Sequence, residues 1–154
     1  MKVEFLFVGK LSAKYLQEGI DVYLKRLNYY LPSTVIVLPS SSVKGNKKVA
    51  IKEEGVSLLK KISPNDFVVL LDETGKEFSS TQLSVLMNKS MVNAVSKMVF
   101  VTGGPYGINE DITARANLVL SFSKFTFTHE MIRLFLLEQV YRAMTILNNE
   151  PYHH

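Results

Sequence analysis

Short runs of consecutive apolar residues, rich in β-branched side chains, recur along the chain and predict five strands. The runs are Val3–Val8, Thr34–Leu38, Phe67–Leu71, Met98–Thr102 and Asn117–Ser121. Their apolar residues are contiguous and do not alternate with polar ones, which is typical of strands covered on both faces. The pattern therefore predicts a sheet that is buried between two layers.

Apolar positions spaced three or four residues apart predict helices between these runs and after the last of them. We expect helices around Leu16–Leu27, Val49–Ile62 and Leu83–Met87, a short turn at Asn109–Arg115, and a long helix at His129–Leu147. Ser12 is expected to cap the first helix and Thr128 the last. The last helix is expected to bury one broad face: Met131, Ile132, Phe135, Leu136, Val140, Ala143, Met144 and Leu147.

Strands that alternate with helices predict an α/β fold, a doubly wound and mostly parallel sheet in a single domain of residues 1–154. Ligands in such folds bind beyond the carboxyl ends of the strands, where the strand order reverses. Three loops therefore need attention: those that follow Leu71, Thr102 and Ser121.

Composition fits one domain of 154 residues, with 47% hydrophobic and 21% charged residues. There is no cysteine, so disulfides and thiolate metal sites are excluded and no metal is expected. No apolar run reaches the length of about 18 residues that suggests a membrane span. The first ten residues lack a signal-peptide pattern, so a cytoplasmic protein without membrane association is expected.

The net charge of +4 is compatible with nucleic acid but does not require it. The densest basic stretch follows three serines at 40–42 and contains Lys44, Lys47, Lys48 and Lys52. One interpretation is a solvated loop that leads into a helix, which such a charge run favours. The other is an arm that contacts RNA phosphates, with an affinity that falls as salt rises.

The loop after Leu71 begins with an acidic pair, Asp72 and Glu73, followed by Thr74 and Gly75. The carboxylates are suited to holding a ribose or an amine. Taken alone, the pattern favours a turn in which Asp72 bonds its own backbone and Gly75 supplies a positive φ.

Gly103 and Gly104 follow the fourth apolar run directly. Paired glycines at a strand end let the backbone approach a ligand, although a tight joint between strand and turn explains them almost as well. The sequence has neither the dinucleotide fingerprint nor a P-loop, which disfavours NAD and ATP sites.

Hydroxyl residues alternate with phenylalanines from Leu120 to His129. A loop wrapped around an adenine, with the phenylalanines lining an apolar slot, is one interpretation. A buried connection whose hydroxyls satisfy its own backbone is the other. The chemistry of the residues favours neither.

The predicted last helix carries Glu138 and Arg142 four positions apart, the favourable order for an ion pair. The chain closes on Pro151, Tyr152, His153 and His154. These residues form either a frayed terminus or a tail with an acid–base or substrate-contacting role.

Several motifs together resemble one known family: Phe100–Gly107, Leu120–His129, Arg133, Glu138–Ala143 and Pro151–His153. They are similar to the methyltransferases of the SPOUT class that modify N3 of a pseudouridine in large-subunit ribosomal RNA. The similarity also includes the first strand, Tyr23–Arg26 and the strand end at Leu71, so it spans the whole chain. Thr128 departs from the family pattern, where proline is common.

The resemblance implies a C-terminal deep trefoil knot and a homodimer in which each cofactor lies near the partner subunit. The cofactor is S-adenosylmethionine (SAM). Its expected contacts come from the same three loops: Leu71, Gly103, Gly104, Phe122, Ser123, Lys124, Phe125, Thr126 and Phe127.

Four residues near the end of the chain are candidates for the chemistry, given that the N3–H proton must be lost during transfer. His153 is the candidate base, and Arg142 is suited to stabilising an anionic ring oxygen or a phosphate. Glu138 is expected to orient Arg142, and Tyr152 to stack on or hydrogen-bond to the base. Because a single small chain offers little surface for RNA, we expect the substrate to be an assembled large subunit or ribosome.

Two other functions remain open. One is a different α/β nucleotide-binding enzyme, which the missing fingerprints disfavour. The other is a non-catalytic ribosome-associated factor that binds through its basic segment, against which the glycine and phenylalanine loops argue.

Overall fold

The structure is a computed structural model, and it describes residues 1–43 and 45–153. Its strands are β1 (Lys2–Val8), β2 (Ser33–Leu38), β3 (Phe67–Glu77), β4 (Lys97–Thr102) and β5 (Leu118–Ser121). Its helices are α1 (Lys14–Leu27), α2 (Lys47–Leu59), α3 (Ser80–Val92), α4 (Glu110–Arg115) and α5 (Met131–Leu147). Lys44 of the basic segment and His154 of the tail lie outside the described residues.

All five strands pair in parallel, in the order β2-β1-β4-β3-β5. β4 therefore lies between β1 and β3, where for example Phe100 is opposite Phe5. The chain alternates between strand and helix throughout, so the predicted α/β fold with a parallel sheet is confirmed. This order places the carboxyl ends of β4, β3 and β5 side by side.

Helices cover both faces of the sheet. On one face α1, α3 and α5 bury a core that includes Ile20, Met87 and Leu136, and in which the rings of Phe5 and Phe100 stack at 5.6 Å. On the other face α2 and α4 contribute Leu58 and Ile112 to a second core. Burial on both faces explains why the strands are apolar at consecutive positions.

β3 is longer than the predicted run, which stops at Leu71. A bulge follows Leu71, and then Lys76 and Glu77 pair with Leu120 and Ser121 of β5. Gly75 lies inside this bulge, and the prediction of a positive φ for it is wrong. A Cβ at position 75 would lie 2.6 Å from the carbonyl carbon of Leu120, so close backbone approach is what requires glycine there.

The predicted helix starts need correction. α1 begins at Lys14 with Ala13 as its N-cap residue and without a side-chain cap, so the cap expected from Ser12 is wrong. α5 begins at Met131 rather than His129, although the Thr128 hydroxyl does accept a hydrogen bond from the Met131 N–H at 3.2 Å.

Two residues depart from the predicted apolar face of α5. Phe135 is 39% exposed, whereas Arg133 is completely buried. The Arg133 guanidinium donates to the carbonyl oxygens of Val8 and Gly9 and lies over the ring of Phe7. Its burial lowers the pKa of Arg133 from its usual value. Arg133 thus joins α5 to the carboxyl end of β1.

Among the described residues, no helix is both long enough and apolar enough to span a bilayer.

Candidate functional site

A cavity of about 850 Å³ opens at the carboxyl ends of β3, β4 and β5. Its size lies within the range of small-molecule sites, and its position is where parallel sheets bind ligands. The loops that follow all three strands contribute to its walls. The predicted contact residues that line it are Leu71, Gly103, Gly104, Phe122, Ser123, Phe125, Thr126 and Phe127.

Lys124 differs from its neighbours in that it is not one of the residues that line the cavity. The fold thus brings the three predicted loops together at one cavity. Which of these residues contact a cofactor stays a prediction.

The glycine loop after β4 is a tight turn. The Gly107 N–H donates to the Gly104 carbonyl at 3.2 Å, and Gly107 has a φ of +107°. A Cβ on Gly103 would lie 2.7 Å from the Gly107 carbonyl oxygen, and one on Gly104 would lie 2.9 Å from the Glu54 carboxylate. The turn itself thus requires glycine at position 103, whereas a Cβ at position 104 would meet the end of a side chain from α2. Both glycines also leave this part of the cavity wall free of side chains.

The loop after β5 combines the two interpretations that the sequence left open. The Ser121 hydroxyl donates to the Ser123 carbonyl at 3.0 Å, and the Ser123 hydroxyl accepts from the Phe125 N–H at 3.0 Å. The hydroxyls therefore do satisfy the loop's own backbone. At the same time the loop lines the cavity, where Phe125 leaves 81% of its surface exposed.

The loop after Leu71 has the turn geometry that its sequence favours. The Asp72 carboxylate accepts hydrogen bonds from the backbone N–H of Thr74 at 2.9 Å and from its hydroxyl at 2.6 Å. Glu73 reaches outward and accepts from the Thr126 hydroxyl at 3.3 Å. This contact joins the first loop to the third at the edge of the cavity.

Glu138 and Arg142 on α5 form a cluster with Tyr152 of the tail, and none of the three lines the cavity. One Glu138 oxygen accepts from Arg142 at 2.6 and 3.0 Å and from the Tyr152 hydroxyl at 3.1 Å, and the other accepts from Gln139 at 2.7 Å. The bond to Glu138 raises the pKa of Arg142, and burial is the main cause that raises the pKa of Tyr152.

His153 follows Tyr152 in the tail. It lines a second cavity of about 480 Å³, whose walls share Leu120, Phe122 and Phe127 with the first. The imidazole therefore lies near the loop after β5 of its own chain, in a cavity beside the first one. The catalytic roles of Glu138, Arg142, Tyr152 and His153 stay predictions.

The cavity also has walls that the sequence analysis missed, among them Ser12, Tyr15 and Glu130. The Glu130 carboxylate accepts from the Ser12 hydroxyl at 2.8 Å, from the Ser12 N–H at 3.1 Å and from the Ala13 N–H at 3.4 Å. These bonds lower the pKa of Glu130, and the bond from the Ser12 hydroxyl is the largest cause. The loop after β1 also follows a carboxyl strand end, so the rule that found the other loops points to it as well.

Comparison with known proteins identifies the family. The family model described as "Predicted SPOUT methyltransferase" matches residues 1–153. The chain is 48% identical to "Ribosomal RNA large subunit methyltransferase H" of Parabacteroides distasonis, over all of this chain and 99% of that protein. It is 44% identical to the protein of the same name from Flavobacterium psychrophilum, with the same coverage. The one from Trichlorobacter lovleyi is 40% identical over the whole of both chains. The fold, the cavity and these full-length similarities agree, and the chain belongs to the SPOUT methyltransferase family.

Proposed function

We propose that this protein transfers a methyl group from SAM to N3 of a pseudouridine in large-subunit ribosomal RNA. The observation that carries the proposal is the cavity of about 850 Å³ at which the loops after β3, β4 and β5 meet. The relatives are named large-subunit ribosomal RNA methyltransferases, which supports the RNA substrate.

The residues of the cavity fit an adenosyl ligand. Gly103 and Gly104 leave a stretch of backbone without side chains, and Phe122 and Phe127 supply apolar surface beside it. Thr102 also lines the cavity, and its buried hydroxyl has no hydrogen-bond partner among the described residues. Since a buried polar group without a partner is costly, a ligand that bonds to Thr102 is favoured.

Bound SAM supplies an electrophilic methyl group, and the protein has to position the acceptor nitrogen and remove its proton. In the proposed mechanism His153 accepts the N3 proton on its imidazole. Arg142, held by two hydrogen bonds to Glu138, stabilises the negative charge that develops on a ring oxygen. Tyr152 stacks on the base or hydrogen-bonds to it.

The active assembly is proposed to be a homodimer. Glu138, Arg142 and Tyr152 do not line the cavity of their own chain, which supports a site that takes its cavity from one subunit and its tail from the other. A C-terminal trefoil knot is proposed with it. The match of the SPOUT methyltransferase family model to residues 1–153 supports the knot, which the resemblance to that class implies.

The substrate is proposed to be the assembled large subunit or ribosome, which this protein meets in the cytoplasm. The test compares ribosomal RNA from cells with and without the gene by mass spectrometry, and then adds purified protein and SAM to the unmodified subunits. We expect one methyl group, located on N3 of a pseudouridine, to be missing and then restored. Unchanged RNA would overturn the proposal, and efficient methylation of a short isolated hairpin would contradict the need for an assembled subunit.

Calorimetric titration separates this function from its competitors. We expect SAM to bind and NAD not to. Binding of NAD alone would favour a different nucleotide enzyme, and binding of neither would favour a non-catalytic ribosome-associated factor.

A further inference from the structure

The tail that carries His153 does not continue the axis of α5 but folds back along it. The chain reverses at Asn149, which has a φ of +54°. The Asn149 N–H donates to the Ile146 carbonyl at 3.1 Å, and the Glu150 N–H donates to the Thr145 carbonyl at 2.9 Å. The helix therefore ends at a residue in the left-handed conformation, which is a common helix ending. The reversal brings Tyr152 to Glu138, 14 residues earlier in the chain.

Two tyrosines from the N-terminal part of the chain hold the folded tail. The Tyr30 hydroxyl donates to the Glu150 carboxylate at 2.7 Å. The hydroxyls of Tyr23 and Tyr152 lie 3.3 Å apart. Burial and the bond to Glu150 raise the pKa of Tyr30, so its hydroxyl remains a donor under physiological conditions.

An aromatic cluster packs these contacts together. The ring of Tyr141 on α5 lies 4.9 Å from that of Tyr152, 5.8 Å from that of Tyr23 and 6.0 Å from that of Tyr30. Arg26 on α1 lies over both Tyr23 and Tyr141. The tail is therefore held by bonds at residues 150 and 152, and His153 follows at once.

We propose that Tyr30 and Tyr23 are positioning residues: their contacts with Glu150 and Tyr152, together called the clasp, hold the tail and thereby fix the position of the His153 imidazole. The inference rests on the proposed function only in giving His153 a catalytic role. Tyr30 and Tyr23 touch the tail and act through it, and neither lines the cofactor cavity.

The test uses the full chain with Tyr30→Phe, which removes one hydroxyl and leaves the ring. Tyr29→Phe is the matched control, since Tyr29 is 78% exposed. The first measurement is the backbone order of residues 150–153 by ¹⁵N NMR relaxation. The second is the single-turnover rate of methylation, with the dissociation constant for SAM measured separately.

We expect Tyr30→Phe to lower the order of the tail and to slow single turnover by about tenfold, the range of one hydrogen bond to a charged group at a partly exposed site. The SAM dissociation constant should stay within twofold of the wild type, and Tyr29→Phe should match the wild type throughout. A loss confined to the rate is what distinguishes positioning from general destabilisation. A tail that keeps its order in Tyr30→Phe would overturn the inference.

Glu150→Gln removes the negative charge at the other end of the same bond, on an exposed residue where the fold is not at risk. The double variant should then lose little more than Tyr30→Phe alone, because both changes weaken one interaction. Additive losses would count against the clasp. The NMR measurement needs no RNA, so wild-type protein that fails to methylate ribosomes would overturn the proposed function without affecting the test of the clasp.

Discussion

At the scale of single residues, Glu138 organises the polar cluster on α5. Both of its oxygens accept hydrogen bonds, one from Gln139 and the other from Arg142 and Tyr152. Gln139 in turn accepts from the Ser80 hydroxyl at 2.7 Å, which links the cluster to α3. Because both oxygens are engaged and one of them holds Arg142 by two hydrogen bonds, this geometry supports the role of orienting Arg142.

The candidate base is tested by His153→Ala. A positioned acid–base group contributes about 100-fold to 10,000-fold to a rate, so we expect single turnover to slow by about 100-fold or more. The dissociation constant for SAM should not change, because the imidazole lies outside the walls of the first cavity. The measurement is single-turnover methylation of large subunits that lack the modification.

The neighbouring imidazole offers the matched control. His154→Ala should keep most of the rate. An unaltered rate in His153→Ala, or an equal loss in both variants, would remove the assignment of the base to His153.

A second prediction concerns Glu130, whose carboxylate accepts hydrogen bonds from the backbone and hydroxyl of Ser12, just before α1. Its pKa in the folded protein lies below the ordinary value of 4.5, so the ionised form stabilises the fold. This contribution is present above the unfolded-state pKa and is lost as the pH falls through the folded pKa. Glu130→Gln should therefore lower the free energy of unfolding at neutral pH, and its difference from the wild type should shrink on acidification below 4.5.

Urea unfolding across that pH range is the measurement. Glu18→Gln is the control, because Glu18 forms an exposed pair with Lys14 at 3.7 Å and such pairs contribute little. A difference between Glu130→Gln and the wild type that does not depend on pH would contradict the interpretation.

At the scale of elements, the pairing of β3 with β5 fixes the first wall of the cavity. The bulge between Leu71 and Lys76 contains the turn that Asp72 stabilises, and β3 pairs with β5 on both sides of it. At Gly75 the backbone of Leu120 and Ser121 leaves no room for a Cβ. The shape of this wall thus depends on a backbone contact more than on any side chain.

Gly75→Ala is expected to disturb this contact. A methyl group would lie 2.6 to 2.8 Å from the backbone of Leu120 and Ser121, so one strand has to move. Overpacking of this kind costs about 1–3 kcal/mol of unfolding free energy, and we expect weaker SAM binding with it. Denaturant unfolding and calorimetry measure the two effects. Glu77→Ala, an exposed position in the same strand, should change both only slightly, and Gly75→Ala at wild-type stability would contradict the close approach.

The elements differ in how far the sequence predicts them. All five strands start within one residue of their apolar runs, because burial on both faces leaves a local and continuous signal. The continuation of β3 to Glu77 leaves no such signal in the sequence, because Lys76 and Glu77 are polar and extend the strand only by pairing with Leu120 and Ser121. The segment before α1 is held by Glu130, 118 residues beyond Ser12, and no local pattern contains that information.

The candidate site divides in the same way. The rule that ligands lie beyond carboxyl strand ends predicts the three loops, because it depends only on strands and their direction. The distance between the cavity and the Glu138 cluster depends on how α5 packs against α1 and α3. Packing of helices that are far apart in the chain is beyond a sequence pattern.

At the scale of the whole molecule, the proposed homodimer predicts a mass by light scattering of about twice the 17.4 kDa of the chain. It also predicts complementation. A Gly104→Arg subunit has a blocked cavity and an intact tail, and a His153→Ala subunit has the reverse. Co-expressed with different tags and purified as a mixed dimer, the pair should regain activity that neither homodimer has, because one composite site is then intact. A monomer in solution, or a mixed dimer without activity, would contradict the composite site.

The strand order also determines when the chain can fold during its synthesis. β4 separates β1 from β3, yet it emerges from the ribosome after both of them. Until residue 102 has emerged, β1 has only β2 beside it and β3 has no neighbour. Most of the native pairing therefore joins segments that are far apart in the chain, which slows folding. The five-stranded sheet and the cavity at its carboxyl edge can form only after β4 and β5 have emerged, so a nascent chain arrested before Lys97 would have neither.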